Sequence, residues 1–268
     1  MAGQGYFDDT SMLRRVHRET VVGLSGPRAL LMQATHPVAF AGFFAHTGAL
    51  DEPYDRLART AQVMNTIAWG TWEEADRATA RVRAMHRRVR GTLAERSGRF
   101  PSGTPYAADD PELLLWVLAC IVDSALVVYE KYVRRLSDGE RDAYWQDYKQ
   151  IGRLFGLRDA EMPEGATDFD AYMRGMLDGG DLHVSPRARA LAVQIVMHPP
   201  VPLQFRPMLE LVNQITVGLL PSGIRRQYGL RWDPLRSAAL HGGAEYVRRV
   251  LVPLLPPRLR LSPAARAV

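Results

Sequence analysis

The chain has 268 residues, 47% of them hydrophobic and 24% charged, which is enough apolar material for a sizeable core and excludes a disordered or low-complexity protein. Its 34 basic residues outnumber 29 acidic ones for a net charge of +5, nearly all of it arginine. That excess suits an anionic ligand but is too dispersed for a nucleic-acid footprint. A single cysteine, Cys120, excludes an internal disulfide and a cysteine-based zinc site, and with no signal-peptide pattern at the start the expected location is the cytoplasm.

Taken in chain order, the first ten residues are polar and Gly-containing and are expected to lie loose on the surface. A helix from Pro27 is predicted to break at His36, because Pro37 disfavours the helical region for the residue before it. His36 therefore reads either as a structural cap at the break or as a ligand to a bound group, and His46 beside Thr47-Gly48 reads as a cation at a helix end. The next helix, Pro53 to Ala68, puts Arg56, Thr60 and Val63 on one side with Arg59 close by. That arrangement is equally compatible with a surface salt bridge and a hydroxyl bonded to its own backbone.

From Trp72 to about Arg96 the residues Ala75, Ala78, Val82, Met85 and Val89 form one apolar stripe at helical spacing, with His86 at its edge pointing inward or nearly so. Arg83 and Arg90 flank the imidazole, where they can neutralise carboxylates. The alternative for His86 is a core-edge histidine hydrogen-bonded to a backbone carbonyl.

The longest apolar stretch, Leu113 to Tyr129, contains Asp123 and Ser124 and falls short of the roughly 18 uncharged residues of a membrane span, so a buried central helix is predicted rather than integral membrane association. Asp110 is placed to cap it, with Pro111 at the first helical position. Asp123, inside so apolar a helix, requires a partner, and arginine is expected. Further helices are predicted over Ser137–Phe155, Phe169–Leu177, Ser185–Met197, Phe205–Leu219 and Pro234–Leu251. Strand signals are nearly absent, and the tail from Pro256 is expected to be loose. The expectation is one all-α domain over 1–268, with about ten helices around a buried central one.

Several chemistries lack their signatures. No glutamate has a histidine three residues later, and no two of the seven histidines are three or four apart, so helix-borne di-iron and zinc sites are not expected. Walker A, Gly-x-Gly-x-x-Gly and Gly-x-Ser-x-Gly patterns are missing too. A cofactor that needs a single protein ligand remains, and haem is the leading case.

Four ordered motifs then carry a resemblance: Gly-Pro-Arg-Ala-Leu-Leu-Met-Gln-Ala-Thr-His-Pro at 26 to 37, Arg-Leu-Ala-Arg-Thr at 56 to 60, Val-Arg-Ala-Met-His-Arg-Arg-Val-Arg-Gly at 82 to 91, and Tyr-Ala-Ala-Asp-Asp-Pro-Glu-Leu-Leu-Leu-Trp-Val at 106 to 117. Together with Gly218-Leu219-Leu220-Pro221 and Tyr228-Gly229-Leu230, they resemble the MpaB-type and rubber-oxygenase (latex clearing protein) catalytic-domain family. The resemblance implies an all-helical fold, haem b with its iron, dioxygen, and an apolar, isoprenoid or other alkene-containing, small-molecule substrate. It implies His86 as the axial ligand to the iron, with Arg56 and Thr60 beside the haem in the catalytic role; Arg83 and Arg90, by their position flanking His86, and His36, by its place at the helix break, complete the expected cofactor-binding residues. Arg59 stands where the rubber oxygenase has a lysine, Phe40 falls near the place of its glutamate, Leu118 replaces the histidine of Trp-Val-His, and Cys120 replaces a threonine. Two other readings remain open at this point: a haem-binding or sensing protein without turnover, and a helical interaction protein without the cofactor.

Overall fold

The computed structural model describes residues 4–45 and 53–266, with side chains described at 4–42 and 58–266. The architecture is mostly helical, as expected. In chain order the N-terminal part comprises α1 (Met12–His17), α2 (Ser25–Gln33), α3 (Pro37–Ala45), α4 (Pro53–Trp69) and α5 (Trp72–His86). A two-stranded antiparallel hairpin follows, β1 (Arg90–Thr92) with β2 (Pro105–Ala107), and leads into α6 (Pro111–Tyr132) and α7 (Asp138–Phe155). The C-terminal part holds α8 (Ala166–Asp178), α9 (Pro186–Met197), α10 (Arg206–Leu219), α11 (Ser222–Gln227) and α12 (Pro234–Tyr246), then α13 (Val252–Leu254), α14 (Pro257–Arg260) and α15 (Pro263–Arg266).

Side-chain caps set the starts of several of the longer helices. Asp110 accepts the Glu112 N–H ahead of α6, and Thr71 with Glu74 and Ser137 with Glu140 form reciprocal capping boxes at α5 and α7, each satisfying donors that the first turn leaves over. α7 ends on Gly156, whose φ of 104° lets the chain reverse in the left-handed region at little cost.

α6 is the central element and packs against α2, α3, α7 and α12. It is long and apolar enough to cross a membrane by length and composition, yet 61% of its apolar window is buried inside the protein. Trp116, Ala119, Cys120, Val122 and Ala125 on it are fully buried, and Trp145, Tyr144 and Tyr148 of α7 close over the same core. Asp123 finds the expected arginine in Arg28 of α2, 2.7 Å away.

Three expectations are corrected. The helix from Trp72 stops at His86 instead of running to Arg96, because Val89 leaves the helical path to join Val38, Ala41, Leu93 and Tyr106 in a small apolar cluster. Its carbonyl accepts the Ala108 N–H there, starting a hairpin that local signals did not announce. Gly42 of α3 permits the approach, since a Cβ at that position would meet Val89 Cγ1 at 2.8 Å. The helix from Pro234 is regular only to Tyr246 and then widens into a π turn over Val247–Leu251. Pro253 has no N–H to give and crowds the carbonyl of Arg249, four residues back, which lies in the widened turn. The tail from Pro256 runs over the surface but is pinned, not loose: Arg260 donates to both oxygens of the buried Glu19 at 2.8 and 2.9 Å, and Ser262 N–H donates to the Arg18 carbonyl.

Candidate functional site

The candidate site is built on α4 and α5, which pack on each other and join through Gly70-Thr71. On α4, residues 60, 63, 64 and 67 share one face by helical spacing. Ile67 is fully buried, Val63 and Met64 are half-buried, and Thr60 is exposed. On α5 the inward line runs through Ala75 (0% exposed), Thr79 (1%), and then Val82 and His86, both half-buried. Both inward faces are thus covered best beside the shared turn and progressively uncovered away from it. His86, half-buried, and Thr60, exposed, stand on these less covered parts. Met85, which the apolar stripe had included, is 51% exposed, so the inward line passes through Thr79 and His86.

His86 is the last residue of α5, with its Nδ1 buried and its carbonyl accepting the Val89 N–H. Arg83, one turn earlier, donates Nη1 to the Leu154 carbonyl of α7 at 2.8 Å, which ties α5 to α7. Arg90 lies on the hairpin, is exposed, and holds both oxygens of Asp109 at 3.0 and 2.7 Å. Both arginines therefore have protein partners, and Arg83 keeps its Nε and second amino group for a further acceptor.

His36 sits at the predicted break between α2 and α3. Its Nδ1 accepts the Ala39 N–H at 3.2 Å, and its ring lies against Phe100 at 5.4 Å. This is the capping arrangement, and burial pulls the imidazole below its ordinary range, so it is neutral at pH 7. The side chain of Arg56 lies outside the described residues, as does His46. Arg59 is exposed on α4, Phe40 is buried in the main core, and Cys120 is buried with its thiol pushed up by desolvation.

The remaining resemblance motifs have a structural role that local sequence did not disclose. Arg28 donates to Asp123 Oδ2 and Ser124 Oγ, each at 2.7 Å, and to the Leu219 carbonyl at 2.9 Å. The Gly-Pro-Arg segment, the central helix and the Gly-Leu-Leu-Pro segment therefore meet at one guanidinium. Tyr228 donates its hydroxyl to the Leu31 carbonyl at 2.7 Å, and Arg225 donates to the carbonyls of Val217, Gly218 and Leu220. Asp123 was the available signal for Arg28, since a carboxylate within so apolar a helix needs a cation.

A prosthetic group held by one imidazole fits the donor set at this site. His86 offers a single nitrogen donor beside apolar side chains, and no group of three or more His, Cys, Asp or Glu able to hold a bare metal ion occurs among the described residues.

Comparison with known proteins gives two results. Residues 14–260 match the family described as "ER-bound oxygenase mpaB/B'/Rubber oxygenase, catalytic domain". Two curated mycobacterial proteins, "Uncharacterized protein Mb2261" of Mycobacterium bovis and "Uncharacterized protein Rv2237" of Mycobacterium tuberculosis, are each 31% identical over 184 residues, 68% of this chain and 68% of theirs. No solved structure matches the chain.

Proposed function

The chain belongs to the mpaB/B' and rubber-oxygenase catalytic-domain family, and on that premise we propose that it is a haem b-dependent oxygenase. Its substrate class is an apolar, isoprenoid or other alkene-containing small molecule, with dioxygen as co-substrate. The observation that carries this reading is the pair of uncovered inward faces on α4 and α5, with an imidazole on one and a hydroxyl on the other.

In this reading His86 would hold the iron and Arg83 would offer its remaining donors to a carboxylate of the cofactor. When bound, haem b supplies a redox-active iron that activates dioxygen. The chain supplies the surroundings. Val63 and Met64 give the α4 face an apolar wall that orients an apolar substrate and limits water. Thr60 places a hydroxyl at the rim of that wall, and Arg56, one turn earlier on the same helix, would add a positive charge for an anionic group there. Arg59 occupies the lysine position with a guanidinium, which has no free lone pair to give to iron.

Incubation of the haem-loaded chain with dioxygen and a panel of alkenes and isoprenoids, followed by oxygen uptake and product mass spectrometry, tests the reading. Oxygen consumption that depends on substrate and on His86 supports it. Phe40 at the place of the rubber oxygenase's base favours one second reading, a protein that binds haem without turnover. Stoichiometric haem with no oxygen consumption on any substrate would establish that reading instead.

A further inference from the structure

At the other end of α6 from the hairpin lies a cavity of about 510 Å³ that the oxygenase reading does not use. Leu113, packed on the hairpin cluster, and Tyr129, in the cavity wall, are sixteen residues apart on one helix, about 24 Å along its axis. The wall is built from three stretches far apart in sequence: Arg15 and Arg18 at α1, Tyr129 to Arg134 at the end of α6, and Arg248 to Arg260 near the C-terminus.

Five arginines line it, and their pairing has a pattern. Glu140 is shared by Arg134 and Arg15, at 2.6 and 3.5 Å; Glu19 by Arg260 and Arg18, at 2.8 and 3.8 Å; Glu245 by Arg248 and Arg249, at 2.6 and 2.8 Å. Asp9, also in the wall, pairs with Arg14 at 3.3 Å. The five lining guanidiniums thus have three glutamates between them, while Asp9 is engaged by Arg14 from outside the wall, which leaves the cavity with a modest excess of positive charge. One glutamate orients two arginines in each trio, so the forks are held in place while charge is left over. Arg15 and Arg18 are the least satisfied members, 38% and 49% exposed with the longest contacts. Val133, Val252 and Pro253 supply an apolar side to the same cavity, and the segment carrying the last two leaves Leu254 and Leu259 exposed.

We propose that this cavity binds a phosphate-bearing ligand, with the anionic group on Arg15 and Arg18 beside the positive charge of Arg134, whose two amino groups are held by Glu140, and an apolar portion against Val133, Val252 and Pro253. A phosphate presents three or more acceptor oxygens and up to two charges, which lets it engage several guanidiniums converging from separate elements at once. The cavity volume is that of an ordinary small-molecule site. The phosphate belongs either to a soluble compound or to a lipid headgroup, and the two sources are separable.

Titration calorimetry of the 268-residue chain with inorganic pyrophosphate, and flotation with vesicles of phosphatidylcholine alone or mixed with phosphatidic acid, test the proposal. Saturable binding of pyrophosphate or selective flotation with phosphatidic acid is expected, weakened about tenfold or more in Arg15→Gln/Arg18→Gln and unchanged in Arg77→Gln/Arg81→Gln, which removes two exposed arginines from α5. Binding of pyrophosphate without flotation assigns a soluble ligand, and flotation without pyrophosphate binding assigns a headgroup. Both substituted arginines are exposed, and ligand-free thermal melts check the fold; if the double variant melts early, each single substitution carries the same comparison. No binding of either probe by the wild type, undiminished binding by Arg15→Gln/Arg18→Gln, or equal loss in Arg77→Gln/Arg81→Gln would overturn the proposal.

Discussion

Arg28 reaches across from α2 to Asp123 in the middle of α6 at 2.7 Å, with the guanidinium 4% exposed and the carboxylate 24% exposed. The same side chain holds Ser124 Oγ and the Leu219 carbonyl, so three helices depend on one residue. Arg28→Met is expected to destabilise the fold by about 2–3 kcal/mol, because it leaves the buried Ser124 hydroxyl and the Leu219 carbonyl without their partner and the partly exposed Asp123 carboxylate without its cation. Asp123→Asn, which keeps an acceptor for Arg28, is expected to cost less. Urea unfolding of the two variants checks the order.

A second prediction concerns pH. His17 Nε2 lies 3.0 Å from Tyr144 Oη and 2.8 Å from Tyr148 Oη, and burial pulls the imidazole down to about 4 from its usual value near 6.5. The unfolded chain therefore binds a proton at a pH where the folded one does not. The stability from the neutral ring is fully present above pH 6.5 and is lost as pH falls toward 4. The loss is expected to reach roughly 2–3 kcal/mol, somewhat below the full-shift value because part of His17 meets solvent. Asp147, which accepts the Leu13 N–H, is raised by burial and acts in the opposite direction. Chemical denaturation at a series of pH values should therefore show a slope over this window that is reduced in His17→Gln.

The third prediction concerns the C-terminal pin. Glu19 is 2% exposed, and Arg260 supplies its two closest hydrogen bonds. Arg260→Met is expected to cost about 3 kcal/mol by leaving that carboxylate buried without its bidentate partner. Glu19→Met/Arg260→Met should recover most of the loss, since two apolar side chains leave nothing stranded. Thermal unfolding of the single and double variants measures both.

Much of the helical skeleton was legible because the caps are written locally. Asp110-Pro111, Ser137 with Glu140, and Ser185-Pro186 each announce a start, and the structure begins helices there. The end of α5 was not legible, since the spacing of apolar residues continues past His86 and only contact with Tyr106 and α3 draws Val89 away. The need for a cation at Asp123 was readable, but Arg28 is 95 residues distant and nothing local selects it among 34 basic residues. His86 and Thr60 were named from motifs, and only the fold places them on the uncovered faces of adjoining helices. The arginine cavity draws on residues more than 200 positions apart, so no window of sequence contains it.

The α5 cap offers a fourth prediction. Thr71→Ala removes the hydroxyl that accepts the Glu74 N–H and is expected to cost about 1 kcal/mol. Thr71 lies at the covered end of the helix pair, so the same variant should retain haem as the wild type does. Parallel measurement of unfolding and haem content separates the two effects.

The most direct test of His86 as the haem ligand is the visible absorption spectrum of the purified chain, oxidised and reduced, with pyridine haemochrome analysis after haem is supplied during expression. A stoichiometric haem b signal is expected, lost or shifted in its axial-ligand bands in His86→Ala. A chain that takes up no haem even on reconstitution, or a His86→Ala variant with full haem content and an unchanged spectrum, would contradict it.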